Sequence, residues 1–385
     1  MKKVEIVIGA NYGDEGKGLL TRHFAVEAKR SKKSSIIVLH NGTAQRGHTV
    51  DYNAHSRHIY HHFGSGTADG VPTFYTSTYW VHPMEFVREY VELATQMKVF
   101  PTAFCDKNAP VITPFDMLAD HITMDWLARK YGEREYGTCG FGSWCAVEDS
   151  DGLVAPIGLY AASTDEQIKS LLEKAWERCM SVLMLRGVDI ATMPEYKEYV
   201  TPNSVKWINT ISHFIDDVRF FLSHVRLTDF DSIYEKTDTI IFENGQGLGL
   251  DKNVGDMWHT TSNTGLTNPV EMLKDKDDFT AEVCYVTRSY LTRHGKGSLE
   301  EEVAKKEINA DMLDKTNIPN DFQGALRYGY LEDKAQAERI ERDWRLVKGD
   351  KRFTKEMAIT HCNEFEDLFK KAKYYSDSPY EVRKR

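Results

Sequence analysis

The sequence predicts an α/β protein: one large domain over residues 1–385, with a central, mainly parallel sheet, flanking helices and long active-site loops. Three observations predict it. Short apolar strand-like runs alternate with helical patterns from the first residues onward, as parallel sheets with crossover helices require. Glycine-rich loops follow several of those runs, where open parallel sheets bind their ligands. No internal repeat or low-complexity linker divides the chain, and its 385 residues suit one α/β unit with insertions.

Val4 to Ile8 reads as a short buried strand, interrupted only by Glu5. A glycine-rich turn follows, then a helical pattern through Leu19, Leu20, Phe24, Ala25 and Ala28. Ser35 to Leu39 is a second buried strand. Pro83 to Gln96 has the spacing of an amphipathic helix, with Phe86, Val87, Tyr90, Val91 and Leu93 on its apolar side. Ser163 with Glu166 is a capping-box signal for a helix through Ile168, Leu171, Leu172, Ala175 and Cys179. Thr239 to Phe242 is a further buried strand, and Glu282 to Thr287 another. The tail from Lys370 to Arg385 is polar and charged.

Hydrophobic residues make up 41% and charged residues 28% of the chain, enough for a core that needs no disulfide or metal staple. The net charge of −9 argues against a nucleic-acid partner, whose phosphates demand a basic excess. Six cysteines without a C-x-x-C pair read as reduced thiols of a cytosol, in a cell or a host cell. No run approaches the roughly 18 apolar residues of a membrane span, so no membrane partner is expected.

The loop Gly9-Ala10-Asn11-Tyr12-Gly13-Asp14-Glu15-Gly16-Lys17-Gly18 can bring backbone N–H groups and a helix N-terminus to phosphate oxygens. Lys17 can neutralise phosphate charge; Asp14 can hold Mg2+ or take a proton. It is not a P-loop, because Gly18 stands where that motif needs Ser or Thr. Alone it reads equally well as a tight strand–helix turn. In the loop Asn41 to Thr49, His48 can act as an acid or stabilise a charged oxygen, or be structural. His55, His58, His61 and His62 lack a cysteine pair to complete a zinc site and read as polar surface or pocket lining. Gly137 to Gly142, Glu243 to Gly247 and the hydroxyl-rich Thr260 to Thr264 offer further donors for a phosphate or a base, or plain turns.

Together, and in this order, these loops resemble the adenylosuccinate synthetase family over most of the chain. Tyr12 to Gly18 match its W-G-D-E-G-K-G loop with Tyr for Trp. Gly42 to Thr49, Gly137 to Gly142, Glu243 to Gly247, Thr260 to Thr264 and Thr292 to Gly297 echo its later elements. The resemblance implies transfer of a γ-phosphoryl group to O6 of a 6-oxopurine nucleotide, followed by displacement by L-aspartate. It implies Asp14, His48 and Lys17 as catalytic residues, and Mg2+ held by Asp14 and the Gly47 carbonyl. Nucleotide contacts are implied for Gly13, Glu15, Gly16, Gly18, Gln45, Thr49, Thr138, Cys139, Gln246, Thr260, Arg293, Asn363 and Ser376, and an amino-acid contact for Arg327. The implied partners are a purine nucleoside monophosphate, ATP or GTP, L-aspartate and a second copy of the chain.

The departures from the family pattern bear on substrate choice. Gln45-Arg46 replace Asn-Ala, so Arg46 is expected to add charge beside the phosphates and to stand in for a family arginine that reaches the neighbouring subunit. Phe141 replaces another arginine. The stretch Asp321 to Glu332 keeps only Arg327 of the family's arginine-rich aspartate loop, and one lost arginine neighbours the ribose, which admits a deoxynucleotide. Thr360-His361-Cys362-Asn363 stands where a T-K-x-D element reads guanine; the Asn363 amide can serve adenine, favouring ATP or dATP. These changes resemble the family's phage branch, which makes 2-aminoadenylosuccinate from dGMP. That branch usually replaces the catalytic aspartate, so the retained Asp14 points to IMP or dIMP. Two other classes fit the loops: a phosphotransferase without an amino-acid partner, and a nucleotide-binding protein with little ligase activity.

Overall fold

The apolar runs form the sheet expected of them. In the computed structural model, which describes residues 1–132, 140–148, 154–252, 262–295, 297–312, 314, 316–317, 324–365 and 372–385, the chain opens with β1 (Lys2–Gly9), α1 (Lys17–Arg30) and β2 (Ser35–Leu39). The hairpin β3 (His48–Asn53) and β4 (Ser56–Tyr60) follows, then β5 (Thr73–Tyr75), α2 (Pro83–Glu92) and β6 (Ala103–Cys105). A helical layer comprises α3 (Pro114–Tyr131), α4 (Ser143–Glu148), α5 (Ile157–Ala161), α6 (Asp165–Leu185), α7 (Lys197–Val200) and α8 (Val205–His224). The chain re-enters the sheet through β7 (Val225–Leu227), α9 (Phe230–Lys236), β8 (Thr239–Glu243), α10 (Thr267–Leu273) and β9 (Phe279–Arg288). It ends with β10 (Leu291–Arg293), β11 (Glu302–Val303), α11 (Lys305–Asn309), β12 (Arg327–Gly329), α12 (Asp333–Trp344), β13 (Phe353–Thr360), β14 (Tyr374–Tyr375) and β15 (Arg383–Lys384).

Among the described residues ten strands form one sheet, in the order β15-β14-β13-β9-β1-β8-β2-β5-β6-β7. Every pairing in it is parallel except β14 with β15. β1 sits near the middle, buried on both faces. Val4, Ile6 and Ile8 join one core cluster, and Val7 joins the other with Leu20 and Phe24 of α1. Burial on both faces explains the nearly unbroken apolar run, since each such side chain contributes about 1.5–3 kcal/mol. The connection after β1 runs toward β2 and that after β9 runs toward β13. Strand order therefore reverses between β1 and β9, which opens a crevice at their carboxyl ends.

Three expectations shift, and the tail adds strands of its own. The α6 capping box is Thr164 with Gln167, one residue later than Ser163 with Glu166. Gln167 Oε1 accepts the Thr164 N–H at 2.8 Å, while the Ser163 hydroxyl donates back to Leu159 O at 2.7 Å. α2 stops at Glu92 and continues as one wide π turn over Leu93–Met97; Val91 is 47% exposed and lies off the apolar side. His58 and His62 are buried, not surface residues. The Glu89 carboxylate gathers the segment, accepting from His58 Nε2 at 3.2 Å and from the N–H groups of His61 and Phe63 at 3.0 and 3.3 Å. The charged tail adds β14 and β15 to the sheet edge.

Candidate active site

The turn from β1 into α1 is built by left-handed backbone at Gly13 (φ 100°), Asp14 (φ 60°) and Gly16 (φ 87°). Two adjacent carboxylates take opposite directions there. Glu15 turns inward: its Oε1 accepts the N–H groups of Asn11 at 3.1 Å and Gly13 at 2.8 Å, and its Oε2 lies 2.6 Å from Lys17 Nζ. Asp14 turns toward solvent, with its side chain 22% exposed and Oδ2 3.5 Å from His294 Nε2. Its strained backbone is fastened by Arg288, whose Nε donates to the Asp14 carbonyl at 2.6 Å. No side chain caps α1 and no acid occupies its first turn, so its N-terminus remains available to an anion. Tyr12 anchors the loop's other end. The guanidinium groups of Arg293 and Arg339 lie over its ring, 4.7 and 5.2 Å from its centroid, and its hydroxyl donates to Glu300.

His48, the first residue of β3, packs against this helix start. A Cβ at Gly18 would lie 3.0 Å from His48 Cβ and 3.2 Å from its carbonyl carbon, so any larger residue would crowd His48. His48 Nδ1 pairs with Glu243 Oε1 at 2.7 Å at the carboxyl end of β8, which orients the ring and leaves Nε2 for a substrate. Burial lowers the His48 pKa. Burial alone would raise that of Glu243, but Arg46, His48 and Ser65 together hold it down to about 2. At neutral pH the pair is an anionic carboxylate against a neutral imidazole, able to take up a proton as negative charge arrives at Nε2.

Arg46 is turned inward, which corrects the expectation that its charge lies beside the phosphates. It is 6% exposed; NH1 lies 3.4 Å from Glu243 Oε2, Nε donates to His61 O at 3.0 Å, and NH2 donates to Phe63 O. The buried Glu243 carboxylate needs a counter-charge, and Arg46 supplies it.

The remaining candidates distribute around the crevice. Gln246 has φ 61° and its Oε1 accepts from the Ser262 hydroxyl at 3.3 Å; Asn41 ties the same loop through Gly245. Gln45 accepts from Ser143 of α4. Gly47 is exposed, and the Thr49 hydroxyl lies 3.2 Å from that of Thr316. The Thr360 hydroxyl donates to the Glu15 carbonyl at 2.7 Å, so the segment leading to exposed Asn363 touches the glycine loop directly. Ser376 closes that segment from beneath by accepting the Cys362 N–H on its carbonyl at 3.0 Å. Arg293 is buried and donates to Ser298 O at 2.8 Å. Arg327 clasps Glu302 with two nitrogens and donates to the carbonyls of Gly295 and Gly297 at 2.9 and 2.8 Å. Thr138, Cys139 and Thr260 lie outside the described residues.

Sequence reading missed the work of Glu243, Arg288, His294 and Arg339. A signal existed for Glu243 and Arg288: each directly follows a predicted strand, Thr239 to Phe242 and Glu282 to Thr287, at the carboxyl ends where sheet ligands bind.

Phosphate oxygens suit this crevice, where an open helix N-terminus, a buried lysine and a carboxylate-held histidine meet at the strand-order reversal; the class so defined is a nucleotide-dependent α/β enzyme. Residues 6–332 match the adenylosuccinate synthetase family. The chain belongs to that family of C–N ligases. It is 26% identical over 322 residues to adenylosuccinate synthetase of Thermotoga maritima, covering 78% of this chain and 68% of that one. It is 23% identical over 301 residues to the Mesoplasma florum enzyme, covering 77% and 64%. The chain thus spans about two thirds of the length of these curated relatives. The fold is similar to that of fully ligated Plasmodium falciparum adenylosuccinate synthetase, with TM-score 0.69 and 17% identity over 95% of this chain and 78% of that one. It is also similar to cyanophage S-2L succinoaminodeoxyadenylate synthetase bound to dGMP and dATP, with TM-score 0.63 and 13% identity over 100% and 95%.

Proposed function

We propose that the chain joins L-aspartate to IMP or dIMP at the expense of ATP or GTP, giving (deoxy)adenylosuccinate, the nucleoside diphosphate and phosphate. One observation carries the reading: the uncapped N-terminus of α1 packs against His48 at Gly18, and the outward Asp14 carboxylate lies in the turn that leads into it. Asp14 removes the purine N1 proton, which makes O6 the nucleophile toward the γ-phosphorus. Lys17 and the α1 N-terminus stabilise charge on the transferring group. His48, oriented by Glu243, faces O6 and stabilises the oxygen as it is phosphorylated. The aspartate amine then attacks C6, phosphate leaves, and the amine proton passes to solvent.

The residues fit Mg2+, a hard cation that takes oxygen ligands: the Asp14 carboxylate is the outward one of the acidic pair, and Gly47 offers a carbonyl on exposed backbone. Bound there, the ion supplies charge neutralisation for the phosphates. Gly13, Glu15, Gly16, Gly18, Gln45 and Thr49 shape the phosphate loops. Thr138, Cys139, Gln246 and Thr260 contact the monophosphate, Arg293 supports its sugar side, and Asn363 and Ser376 line the site for the triphosphate's base. The aspartate carboxylate exchanges with Glu302 at Arg327. The chain works as a homodimer; a monomeric sedimentation coefficient at micromolar concentration would count against that.

The test incubates IMP, dIMP, GMP and dGMP singly with ATP or GTP and aspartate, with products identified by mass spectrometry. A succinyl adduct of IMP or dIMP is expected. Adduct from dGMP alone would move the substrate to the 2-amino purines. Phosphate release indifferent to aspartate would make the chain a phosphotransferase. Asp14→Ala is expected to lower turnover by about 10²–10⁴-fold; undiminished ligation would remove its assigned role.

A further inference from the structure

Within the helical layer, two sulfurs and a carboxylate converge. Asp116 of α3, Cys145 of α4 and Cys179 of α6 are fully buried, and their ligand atoms all lie within 4.8 Å of one another. The sulfurs are 3.7 Å apart, and Cys179 Sγ lies 3.6 Å from Asp116 Oδ1. A disulfide would need an S–S distance of about 2.05 Å. Two thiolates on one tetrahedral ion at ~2.3 Å are about 3.8 Å apart, and a thiolate with a carboxylate oxygen at ~2.1 Å about 3.6 Å. Both measured separations are edges of that tetrahedron.

The surroundings orient the carboxylate. Asp116 Oδ2 accepts from the Thr113 N–H at 2.8 Å and its hydroxyl at 2.6 Å, which aims Oδ1 toward the sulfurs. Arg178 pairs with Oδ1. Charge then balances: two thiolates and a carboxylate oppose one divalent ion and one guanidinium, the neutral sum a buried site requires. Cys145 is held in register by its N–H donating to Asp120 at 3.0 Å.

We propose that Asp116, Cys145 and Cys179 bind one zinc-type divalent cation that staples α3, α4 and α6, with a solvent oxygen completing its coordination. As the two S–metal bonds form, each thiol releases its proton to solvent, and no redox partner is needed. The ion would be structural, acting on α4, whose Ser143 holds Gln45 at the crevice. The proposal is independent of the ligase reading.

The test uses the full chain, purified under reductant, stripped with chelator and titrated with Zn2+ or Co2+ alone. One tightly held equivalent is expected by elemental analysis. Co2+ should give sulfur-to-metal charge-transfer absorption and the visible bands of a tetrahedral site, which binding at the Mg2+ position would not. Cys145→Ser and Cys179→Ser should lose both signals, Asp116→Asn should weaken them, and Cys105→Ala should keep them. Should those variants fail to fold, the wild-type chain alone decides: chelation should lower its melting temperature and Zn2+ restore it. Absence of the sulfur band in the wild type, its persistence in the C145S/C179S double variant, or a melting temperature indifferent to chelator and Zn2+ each overturns the proposal. A Cys145–Cys179 disulfide that on reduction still takes up no ion does the same.

Discussion

Glu243 is buried between Arg46 and His48, so removing its charge has two separable consequences. Glu243→Gln keeps the size of the side chain and strands the Arg46 guanidinium, for an expected loss of about 3–5 kcal/mol in urea unfolding at neutral pH. Turnover is expected to fall with little change in the KM for the triphosphate, because His48 loses its orienting carboxylate rather than a substrate contact. The pH dependence has a definite sign. With its carboxyl held at about 2 against an ordinary 4.5, Glu243 contributes stability in full above pH 4.5 and loses it as pH falls from there toward 2. Acid unfolding of the variant should lack that part of the curve. A second prediction concerns Asn363: Asn363→Asp is expected to shift kcat/KM toward GTP over ATP by roughly tenfold or more, the worth of one charge-assisted hydrogen bond. An unchanged GTP-to-ATP ratio would place the base elsewhere.

At the scale of elements, α1 and β3 meet at Gly18. Gly18→Ala gains helix propensity of about 1 kcal/mol and loses about 1–3 kcal/mol to crowding against His48, so the melting temperature should barely move. Displacing the imidazole should nonetheless cost turnover about a hundredfold, seen in single-turnover kinetics; unchanged turnover would mean that the contact positions nothing. Element boundaries were legible where burial on both faces leaves a continuous apolar run, as in β2, read to the residue as Ser35 to Leu39. They were less legible where two signals overlap: Ser163-x-x-Glu166 and Thr164-x-x-Gln167 both read as a capping box, and only packing chooses. The glycine loops showed which strand ends face the crevice. The contacts that complete it, the side-chain pair His48 with Glu243 and the bond from Arg288 to the Asp14 carbonyl, join residues 195 and 274 positions apart, and no local pattern encodes such partners.

Glu5 acts on the molecule as a whole, because it lies buried inside the central strand. Lys3 Nζ is 2.5 Å from its Oε1, yet neither carboxylate oxygen receives a well-directed hydrogen bond. Burial pushes its pKa up from 4.5 to about 7. Between those values the native state holds more protons than the unfolded chain, so stability falls as pH rises from 4.5 to 7, by on the order of 3 kcal/mol. Glu5→Gln is expected to flatten that slope and to be more stable than the parent at pH 8. Denaturant midpoints from pH 5 to 8 measure it, and parallel curves for the two proteins would refute it.

Thr360 has a consequence of another kind. Its hydroxyl holds the Glu15 carbonyl, and its methyl carbon lies against the space beside Gly16, at the start of the segment that carries Asn363. In the proposed reading, the compartment for the donor's base and the compartment for the acceptor purine share this one joint. Any bias that one occupant places on the other through this joint would be equal in both directions: whatever the donor adds to the acceptor's affinity, the acceptor returns to the donor.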